Sequence, residues 1–561
     1  MKDTLKIYCE NVQRYIDIEG GNTLSDIYGR LREEIGFEPI CARVNNKTED
    51  MSYPVFSPKQ VSFLPATSAS GRRVYVRSLS MMLYAAVYKL FPGTTLRMEH
   101  SISRGFYCRL LTADGKAVPA EEDTHLGPLR RYMQQLAAQS LPMVRKERLT
   151  KDVIEKFRRQ GLADKVRLLE TLHNLYTVYY TLDGMCDSYG GPLAPHTGMV
   201  TVFDLVPYKE GFLLMPPDPE CPDKPCRPVP QEKMYDAFTR YLQFNRVIRV
   251  ADVADLNQAV AEHKTGQLIN VAETMHGNYI GRISDTIAAR HAEGKADIVL
   301  IAGPSSSGKT TFCKRLAVQL MTNLLTPKMI SLDDYFVNRE DTPRDASGDY
   351  DYESLYALDL PRLNSDLTRL LAGETVNLPT YSFELGRRVE KERPLHLDAD
   401  DILIMEGIHG LNPELTSALD SSRLFKIYVS ALTTLHIDDH NWISTTDNRL
   451  LRRIVRDHKY RHTSATETIR RWPSVRRGEE KWIFPYQENA DATFNSSLLF
   501  ELGVMKSYAE PLLRQVPHDV PEYSEASRLL QFLDCFDAVP ADQIPSTSLL
   551  REFLGGSLFH Y

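Results

Sequence analysis

The sequence has little cysteine, no long apolar run and no overwhelming charge of either sign. Its eight cysteines are scattered over 561 residues without a pairing framework, which is typical of reduced thiols in a cytoplasm. No apolar run approaches the ~20 residues of a membrane-spanning helix, and the N-terminus carries charge where a signal peptide is apolar. The net charge of −7 gives no general case for nucleic acid or an anionic membrane as partner. We therefore expect a cytoplasmic protein with no membrane partner.

Length and composition indicate several folded domains of mixed α+β and α/β class. A hydrophobic content of 42% and a charged content of 25% are typical of globular proteins, and the length suggests about three or four domains. Strands alternate with helices from 296 to about 500, which predicts a parallel sheet flanked by helices. We predict a small α+β domain (1–64), a mixed α+β domain (72–250), a helical connector (251–295), an α/β domain (296–500) and a helical extension (501–561).

The sequence also predicts a helix cap, a linker and two helices. Thr23 or Ser25 is predicted to cap the first helix. The Ser-rich segment 66–71 is predicted to be a linker. Helical periodicity predicts helices over 78–90 and 151–170.

A phosphate-binding loop is the most informative motif in the chain. Residues 303–310 read GPSSSGKT and fit G-x-x-x-x-G-K-[ST]. The apolar run 298–302 predicts a buried strand ahead of this loop, and Phe312, Leu316 and Leu320 recur behind it at helical spacing. A strand, a glycine loop and a helix N-terminus together present N–H groups and a positive dipole end to phosphate oxygens. The residues predicted to bind a nucleoside triphosphate are Gly303, Ser305, Ser306, Ser307, Gly308, Lys309, Thr310 and Thr311.

Two further strands are predicted to end in carboxylates beside this loop. The apolar run 402–405 leads to Glu406, which is placed to hold Mg²⁺ near the Thr310 hydroxyl. The strand 329–332 ends at Asp333, which is placed to accept the proton of a substrate hydroxyl. Lys309 is expected to reach the β- and γ-phosphates. The alternative for both carboxylates is an ordinary polar group at a strand end.

Four arginines are predicted to share one face of a helix near residue 450. Arg449, Arg452, Arg453 and Arg456 have i, i+3 and i+4 spacing. Such clusters neutralise the charge that builds up on a phosphoryl group during its transfer. A solvated basic face is the alternative.

Six motifs occur in the order seen in uridine kinases, so residues 296–500 resemble the uridine kinase/phosphoribulokinase family. The motifs are the P-loop, SLDDYF (331–336), DYDY (349–352), PTYSF (379–383), EGIHGL (406–411) and RLLRRIVRD (449–457). The resemblance implies a kinase that uses ATP and Mg²⁺ to phosphorylate the ribose 5′-hydroxyl of a nucleoside. A small-molecule nucleoside is thus the expected substrate.

The resemblance also implies roles for individual residues. Asp333 is implied to be the general base, with Lys309, Arg453 and Arg456 on the transferring phosphate. Thr310, Glu406 and Asp333 are implied to be the Mg²⁺ ligands. The residues implied to hold the nucleoside are Asp351 on the ribose hydroxyls and Phe336, Tyr350 and Tyr381 around the base.

One departure from the family leaves the acceptor open. Uridine kinases carry a histidine that reads the pyrimidine edge, and the corresponding position here is Gly386. Loss of a buried base-reading donor removes a large discrimination between substrates. A kinase of another small polyol or a sugar phosphate is therefore an alternative.

Residues 1–215 carry a second resemblance, to threonyl-tRNA synthetases. VNNKTED (44–50) resembles their ubiquitin-like TGS domain, whereas LFPG (90–93), GFY (105–107) and DSYGGPL (187–193) resemble their editing domain. The resemblance implies that these two folds occupy the N-terminal half.

The reactive positions of that editing domain are not retained. They correspond to Met81, Ala85, Tyr189 and Leu193, none of which is a good metal ligand or base. The resemblance therefore implies neither editing nor zinc. Binding of a nucleotide or RNA, dimerisation into a homo-oligomer, a nucleotide-dependent RNA-binding regulator and a purely architectural role remain alternatives, of which RNA is disfavoured by the acidic charge.

Overall fold

The computed structural model describes residues 4–345, 348–382, 384–389 and 391–560. Phe383, the last residue of the PTYSF motif, lies outside these ranges. No helix within them combines the length and apolar character that a bilayer-spanning segment requires.

The chain begins with a five-stranded sheet crossed by one helix. Thr23 caps this helix, Leu24–Ile35, through a reciprocal capping box with Asp26, so Thr23 and not Ser25 is the cap. Gly36 ends the helix in a left-handed conformation with a φ of 72°. In sheet order the strands are Arg14–Glu19, Thr4–Cys9, Gln60–Leu64, Cys41–Val44 and Lys47–Glu49.

The predicted linker at 66–71 is wrong, because this segment starts a long buried helix. The Ser68 side chain caps the helix Ala69–Leu90 by accepting a hydrogen bond from the Gly71 amide. A Cβ at Gly71 would lie 2.1 Å from the Pro65 carbonyl oxygen, so only glycine fits there. Ser68 and the residues after it therefore form a helix cap and the first helical turn, not a linker.

The next region combines three further α-helices with two antiparallel sheets. The helix predicted over 151–170 is two helices, Thr150–Gln160 and Ala163–Thr171, because Gly161 adopts a φ of 86° between them. A further helix spans Gly127–Gln139. One sheet has the strands Met185–Asp187, Tyr176–Leu182 and Val144–Leu149, and the other has Asp204–Tyr208, Gly211–Met215, Gly105–Leu111 and Thr95–Ile102, with Ala117–Val118 beside Gly105–Leu111.

Three helices connect this region to the second half of the chain, namely Glu232–Ile248, Val253–Ala261 and Thr265–Ala292. Two of them bond to the edge strand Ala492–Asn495, because Tyr241 and Tyr279 donate to the carbonyl oxygens of Asn495 and Thr493. The connector is therefore packed against the sheet that it precedes.

The second half contains the predicted parallel sheet, which confirms the α/β class of this region. Its five strands, in order, are Thr326–Ser331, Asp401–Glu406, Ile298–Ala302, Leu424–Ser430 and Ala492–Asn495, and each pair is parallel. The central strand Ile298–Ala302 is buried at every residue, as its unbroken apolar sequence predicts. The helices of this half are Lys309–Thr322, Leu360–Leu371, Thr445–Arg461 and Ala465–Trp482.

Short elements complete this half. Two small hairpins pair Thr380–Ser382 with Arg387–Val389 and His436–Asp438 with Asn441–Trp442. The first of them is enclosed by a further antiparallel pair, Val376–Asn377 with Pro394–Leu395. The C-terminal helices are Glu501–Leu513, Tyr523–Leu533 and Arg551–Leu554. The last of these contacts the helix Lys309–Thr322 near its start, through hydrogen bonds from Thr311 to Glu552.

Candidate active site

The P-loop joins the central strand to the helix Lys309–Thr322, hereafter the P-loop helix. A Cβ at Gly303 would lie 1.9 Å from the Val429 carbonyl oxygen of the neighbouring strand, so the loop can turn there only with glycine. Ser306 and Gly308 have φ values of 58° and 83°, which turn successive amides toward one side. The Ser306 and Ser307 hydroxyls are buried and lack a hydrogen-bond partner within the described residues. These two hydroxyls and the turned amides form a cradle that fits phosphate oxygens.

The predicted carboxylates meet at the mouth of this loop. Glu406 and Asp333 follow adjacent parallel strands, and the Thr310 hydroxyl donates to Glu406 Oε1 over 3.3 Å. Burial raises the pKa of Glu406 to about 7; the charge of Lys309 opposes this rise, and the nearby carboxylates of Asp333 and Glu552 add to it. Crowded carboxylates beside a hydroxyl are the oxygen donors that Mg²⁺ prefers, so the residues present fit this ion.

Asp333 is reachable from the cleft and interacts with its cations. Desolvation raises the pKa of its carboxyl, while Lys309 and Arg461 lower it and Asp334 adds to the rise. Lys309 Nζ itself donates to the Pro304 carbonyl oxygen over 3.3 Å. Lys309 is thus close enough to both Asp333 and Glu406 to oppose the rise of their pKa values.

Glu353 is a third carboxyl of this cleft, and the motif analysis missed it. Burial raises its pKa to about 7, with a further rise from Glu479 and opposing effects of Arg453 and Lys309. Glu353 packs against Gly478, and a Cβ at position 478 would lie 2.3 Å from the Cβ of Glu353. Its place two residues after Asp351 was the only available signal.

The helix Thr445–Arg461, hereafter the arginine helix, presents its guanidiniums to the P-loop in two ways. Arg449 Nε donates to the Ser305 carbonyl oxygen over 2.9 Å, and Arg452 Nη1 donates to that of Ser306 over 3.4 Å. Both side chains are almost completely buried, and each is ion-paired, Arg449 to Glu479 and Arg452 to Glu501. These two arginines hold the P-loop backbone, a role that the spacing alone did not assign to them.

The other two arginines of the cluster, Arg453 and Arg456, make different contacts. Arg453 Nη1 donates to the Ser305 hydroxyl over 2.9 Å, so the structure brings it to the P-loop as expected. Arg456 pairs with Asp457, its Nη2 lying 2.8 Å from Asp457 Oδ1. Asp457 also accepts from Arg453 Nε over 3.2 Å and therefore orients both guanidiniums.

Two glutamates from distant parts of the chain already accept hydrogen bonds from P-loop amides. Glu479 Oε1 accepts from the Ser305 amide over 3.1 Å. Glu552 Oε2 accepts from the Thr311 amide over 3.2 Å and from the Thr311 hydroxyl over 2.7 Å. Thr311 is completely buried under this contact, so a carboxylate occupies donors that were predicted to bind the nucleotide.

The predicted nucleoside-binding residues form an aromatic wall beyond Asp333. The rings of Phe336 and Tyr381 lie 5.6 Å apart, and both are largely buried. Tyr350 packs 6.0 Å from the ring of Tyr352 and carries the Arg344 guanidinium 4.3 Å above its ring. Asp351 lies in the intervening turn, where its amide donates to the Pro343 carbonyl oxygen over 2.7 Å.

The Arg339 guanidinium packs against Gly386, the position that corresponds to the base-reading histidine of uridine kinases. The φ of Gly386 is +65°, and a Cβ there would lie 2.6 Å from Arg339 Nε. The Arg339 amide also donates to the Gly386 carbonyl oxygen over 2.8 Å. A side chain at 386 would therefore require both a strained backbone and a displaced guanidinium.

The four positions that correspond to the lost editing cluster lie in one hydrophobic core. Met81, Ala85, Tyr189 and Leu193 are all buried there, and the ammonium group of Lys165 lies 5.7 Å from the Tyr189 ring. Within the described residues, no group of three His, Cys, Asp or Glu side chains is arranged to hold a metal ion.

Comparisons with known proteins bear out both resemblances. Residues 298–498 match the sequence model of the Phosphoribulokinase / Uridine kinase family. A uridine kinase of Lactobacillus helveticus is 30% identical over 199 residues, which are 35% of this chain and 85% of that protein. A threonine–tRNA ligase of Porphyromonas gingivalis is 25% identical over 190 residues, which are 34% of this chain and 29% of the ligase. The chain thus spans less than a third of that ligase.

A solved structure of a possible uridine kinase from Bacillus stearothermophilus is also similar to the chain. The alignment covers 36% of this chain and 89% of that one, with 20% identity and a TM-score of 0.25.

Proposed function

The chain belongs to the phosphoribulokinase/uridine kinase family, and from that premise we propose that it transfers the γ-phosphate of ATP to the ribose 5′-hydroxyl of a pyrimidine nucleoside, as in nucleoside salvage in the cytoplasm. The observation that carries this proposal is the convergence of Lys309, Asp333 and Glu406 at the mouth of the P-loop, where the Thr310 hydroxyl donates to Glu406 and the charge of Lys309 lowers the pKa of both carboxyls against the effect of burial. Phosphoryl transfer needs a phosphate cradle, a metal carboxylate and an acceptor-activating base in one place.

In this proposal each residue acts through its position. Asp333 accepts the proton of the acceptor hydroxyl, and its carboxylate form is favoured by Lys309 and Arg461. Lys309 and Arg453 bind the transferring phosphoryl group and stabilise its charge. Thr310 and Glu406 would hold Mg²⁺, which when bound neutralises charge on the phosphate oxygens.

The aromatic wall supports an acceptor with a flat ring. Phe336 follows Asp333 by three residues and its ring lies 5.6 Å from that of Tyr381, while Tyr350 lies on the turn that carries Asp351. Asp351 would accept hydrogen bonds from the ribose 2′- and 3′-hydroxyls. A bare sugar phosphate has no ring to pack against these aromatic side chains.

A second candidate, a kinase of another small polyol or of a sugar phosphate, is favoured by Arg339. An imidazole reads a base edge, whereas a guanidinium binds phosphate or carboxylate with paired hydrogen bonds. Arg339 lies over Gly386, close to where the family's imidazole would stand. A screen of ATP consumption across nucleosides, deoxynucleosides and sugar phosphates distinguishes the two candidates, and a flat response to every nucleoside would overturn the first.

The role of the base is tested by Asp333→Asn. We expect loss of phosphoryl transfer with near-normal ATP binding, since the carboxamide cannot take up the proton but preserves the shape of the site. Asp334→Asn is the matched control, because this neighbouring carboxylate is ion-paired to Arg393 over 2.8 Å. Normal turnover by Asp333→Asn would refute the assignment.

A further inference from the structure

A cationic pocket lies apart from the P-loop, where four separate parts of the chain meet. The strand Lys47–Glu49, the helix Ala69–Leu90, the loop 190–192 and the helix Tyr523–Leu533 all contribute to its walls. Its principal groups are Lys47, Arg73, Arg77, Arg528 and the hydroxyls of Ser524 and Ser527. None of these residues belongs to the proposed phosphotransfer site.

Three of the four cations have carboxylate partners within the chain. Lys47 pairs with Glu49 over 2.9 Å, and Arg73 pairs with Glu525 over 3.0 Å. Arg528 Nη1 lies 2.7 Å from Asp447 Oδ2.

Arg77 is the exception. The only hydrogen bond of its guanidinium within the described residues runs from Nε to the Pro192 carbonyl oxygen over 3.2 Å, and no carboxylate of these residues lies within ion-pair distance. Burial lowers the pKa of Arg77 to about 10, and the like charges of Arg73 and Arg528 contribute. A desolvated cation among other cations is costly unless an anion compensates it.

The backbone is shaped to keep this guanidinium in place. Arg77 lies flat on Gly191, where a Cβ would be 2.9 Å from Arg77 Cζ and 3.0 Å from Nη1. Any other residue at 191 would displace the guanidinium from the pocket. The cavity offers about 30 Å³ to the centre of a water-sized sphere, which is roughly twice what one water needs and too little for a nucleobase.

We propose that this pocket binds a tetrahedral oxyanion, either inorganic phosphate or the phosphate group of a small phosphomonoester, with Arg77 as its principal ligand. The two Nη atoms of Arg77 supply the fork that matches phosphate oxygens, and the Ser524 and Ser527 hydroxyls supply neutral donors. The anion also lies beside Arg528, whose partner Asp447 is in the first turn of the arginine helix. Occupancy is thereby linked to the element that holds the P-loop.

Titration calorimetry of the full-length protein with inorganic phosphate tests this proposal. The P-loop also binds phosphate, so the measurement is made in a Lys309→Met background, with and without Arg77→Gln. We expect Arg77→Gln to weaken the remaining phosphate binding at least about tenfold. Arg72→Gln is the matched control, since Arg72 is an exposed neighbour on the same helix, and it should bind as its parent does.

A second variant guards against misfolding of Arg77→Gln. Ser527→Asp places a carboxylate inside the pocket, so in the Lys309→Met background we expect it to raise the melting temperature and abolish phosphate binding. In a chain that retains Lys309, the same substitution should leave ATP binding unchanged. Glycerol 3-phosphate as a second probe distinguishes the two sources, because a pocket closed to an ester substituent binds only the inorganic ion. Phosphate binding that is equal in Lys309→Met and in both pocket variants would overturn the proposal, as would no binding by Lys309→Met.

Discussion

The variant Glu552→Gln tests whether Glu552, in the helix Arg551–Leu554, and a bound nucleotide compete for the same hydrogen-bond donors of the P-loop helix. The Glu552 carboxylate accepts two hydrogen bonds from Thr311, one from its amide and one from its hydroxyl. The amide is among the first N–H groups of a helix that begins at Lys309, where a phosphate oxygen is an equivalent acceptor. A bound phosphate must therefore displace this carboxylate or lie next to its negative charge.

The size of the effect follows from the charge that is removed. Hydrogen bonds to ionised groups contribute about 1.5–3 kcal/mol, roughly twice a neutral one. Glutamine preserves the shape and can still accept from Thr311, so the variant loses about half of this, or ~0.8–1.5 kcal/mol. Since 1.36 kcal/mol is a factor of ten, we expect ATP to bind about three- to tenfold more tightly to Glu552→Gln than to the wild type.

The assay is the dissociation constant of Mg²⁺–ATP by calorimetry, with thermal stability measured in parallel. Glu99→Gln, in the strand Thr95–Ile102, is a comparison for general loss of a buried carboxylate, since Glu99 is ion-paired to Arg109 and not to the P-loop. We also expect the pKa of Glu406 to fall in Glu552→Gln, because Glu552 contributes to its rise. An unchanged or weaker affinity for ATP would show that the nucleotide does not compete with Glu552.

Three other variants test the packing of the site and of the two halves. Gly303→Ala directs a Cβ to within 1.9 Å of a carbonyl oxygen, so we expect lower melting temperature and lost ATP binding. Lys165→Met strands the buried carboxylates of Asp187 and Asp438, and denaturant titration should show a loss of about 3–5 kcal/mol; wild-type stability would contradict this. Burial lowers the pKa of His440 but Asp187 raises it above 6.5 overall, so protonated His440 stabilises the fold at low pH and this contribution disappears as the pH rises above about 6.5. The melting temperature of His440→Gln should lack this part of the pH dependence.

The sequence predicted the phosphate cradle well because its information is local. A buried strand, a glycine turn and a helix start all lie within 298–322, and each has its own pattern. The meeting of Asp333 and Glu406 was also predictable, since the carboxyl ends of adjacent parallel strands share one edge of a sheet. Both inferences rest on backbone rules that do not depend on distant contacts.

The carboxylates that contact the P-loop amides could not be found in this way. Glu479 is 174 residues from its partner Ser305, and Glu552 is 241 residues from Thr311. No periodicity connects such positions, because their proximity depends on how whole helices pack. Similarly, the spacing of the arginines predicted a common face but not that Arg449 would be buried on the P-loop backbone while Arg456 turns to Asp457.

Buried ion pairs also join the synthetase-like half to the family-matched region. The hairpin His436–Asp438 and Asn441–Trp442 belongs to the family-matched region but is inserted into the N-terminal half. Lys165 lies 2.9 Å from both Asp187 and Asp438, so one buried ammonium group joins carboxylates of the two halves. His440 Nδ1 lies 2.7 Å from Asp187 as well.

Because of these buried ion pairs, the stability of each half depends on its contact with the other. Separating them would leave Lys165, Asp187 and Asp438 without partners in a low-dielectric interior, which costs far more than the loss of exposed pairs. The hairpin ends at Trp442, and the arginine helix that holds the P-loop begins at Thr445. Only three residues along the chain thus separate the hairpin that packs on the N-terminal half from the helix that carries Arg449 and Arg452. Rigid packing across this junction needs no reactive residue in the N-terminal half.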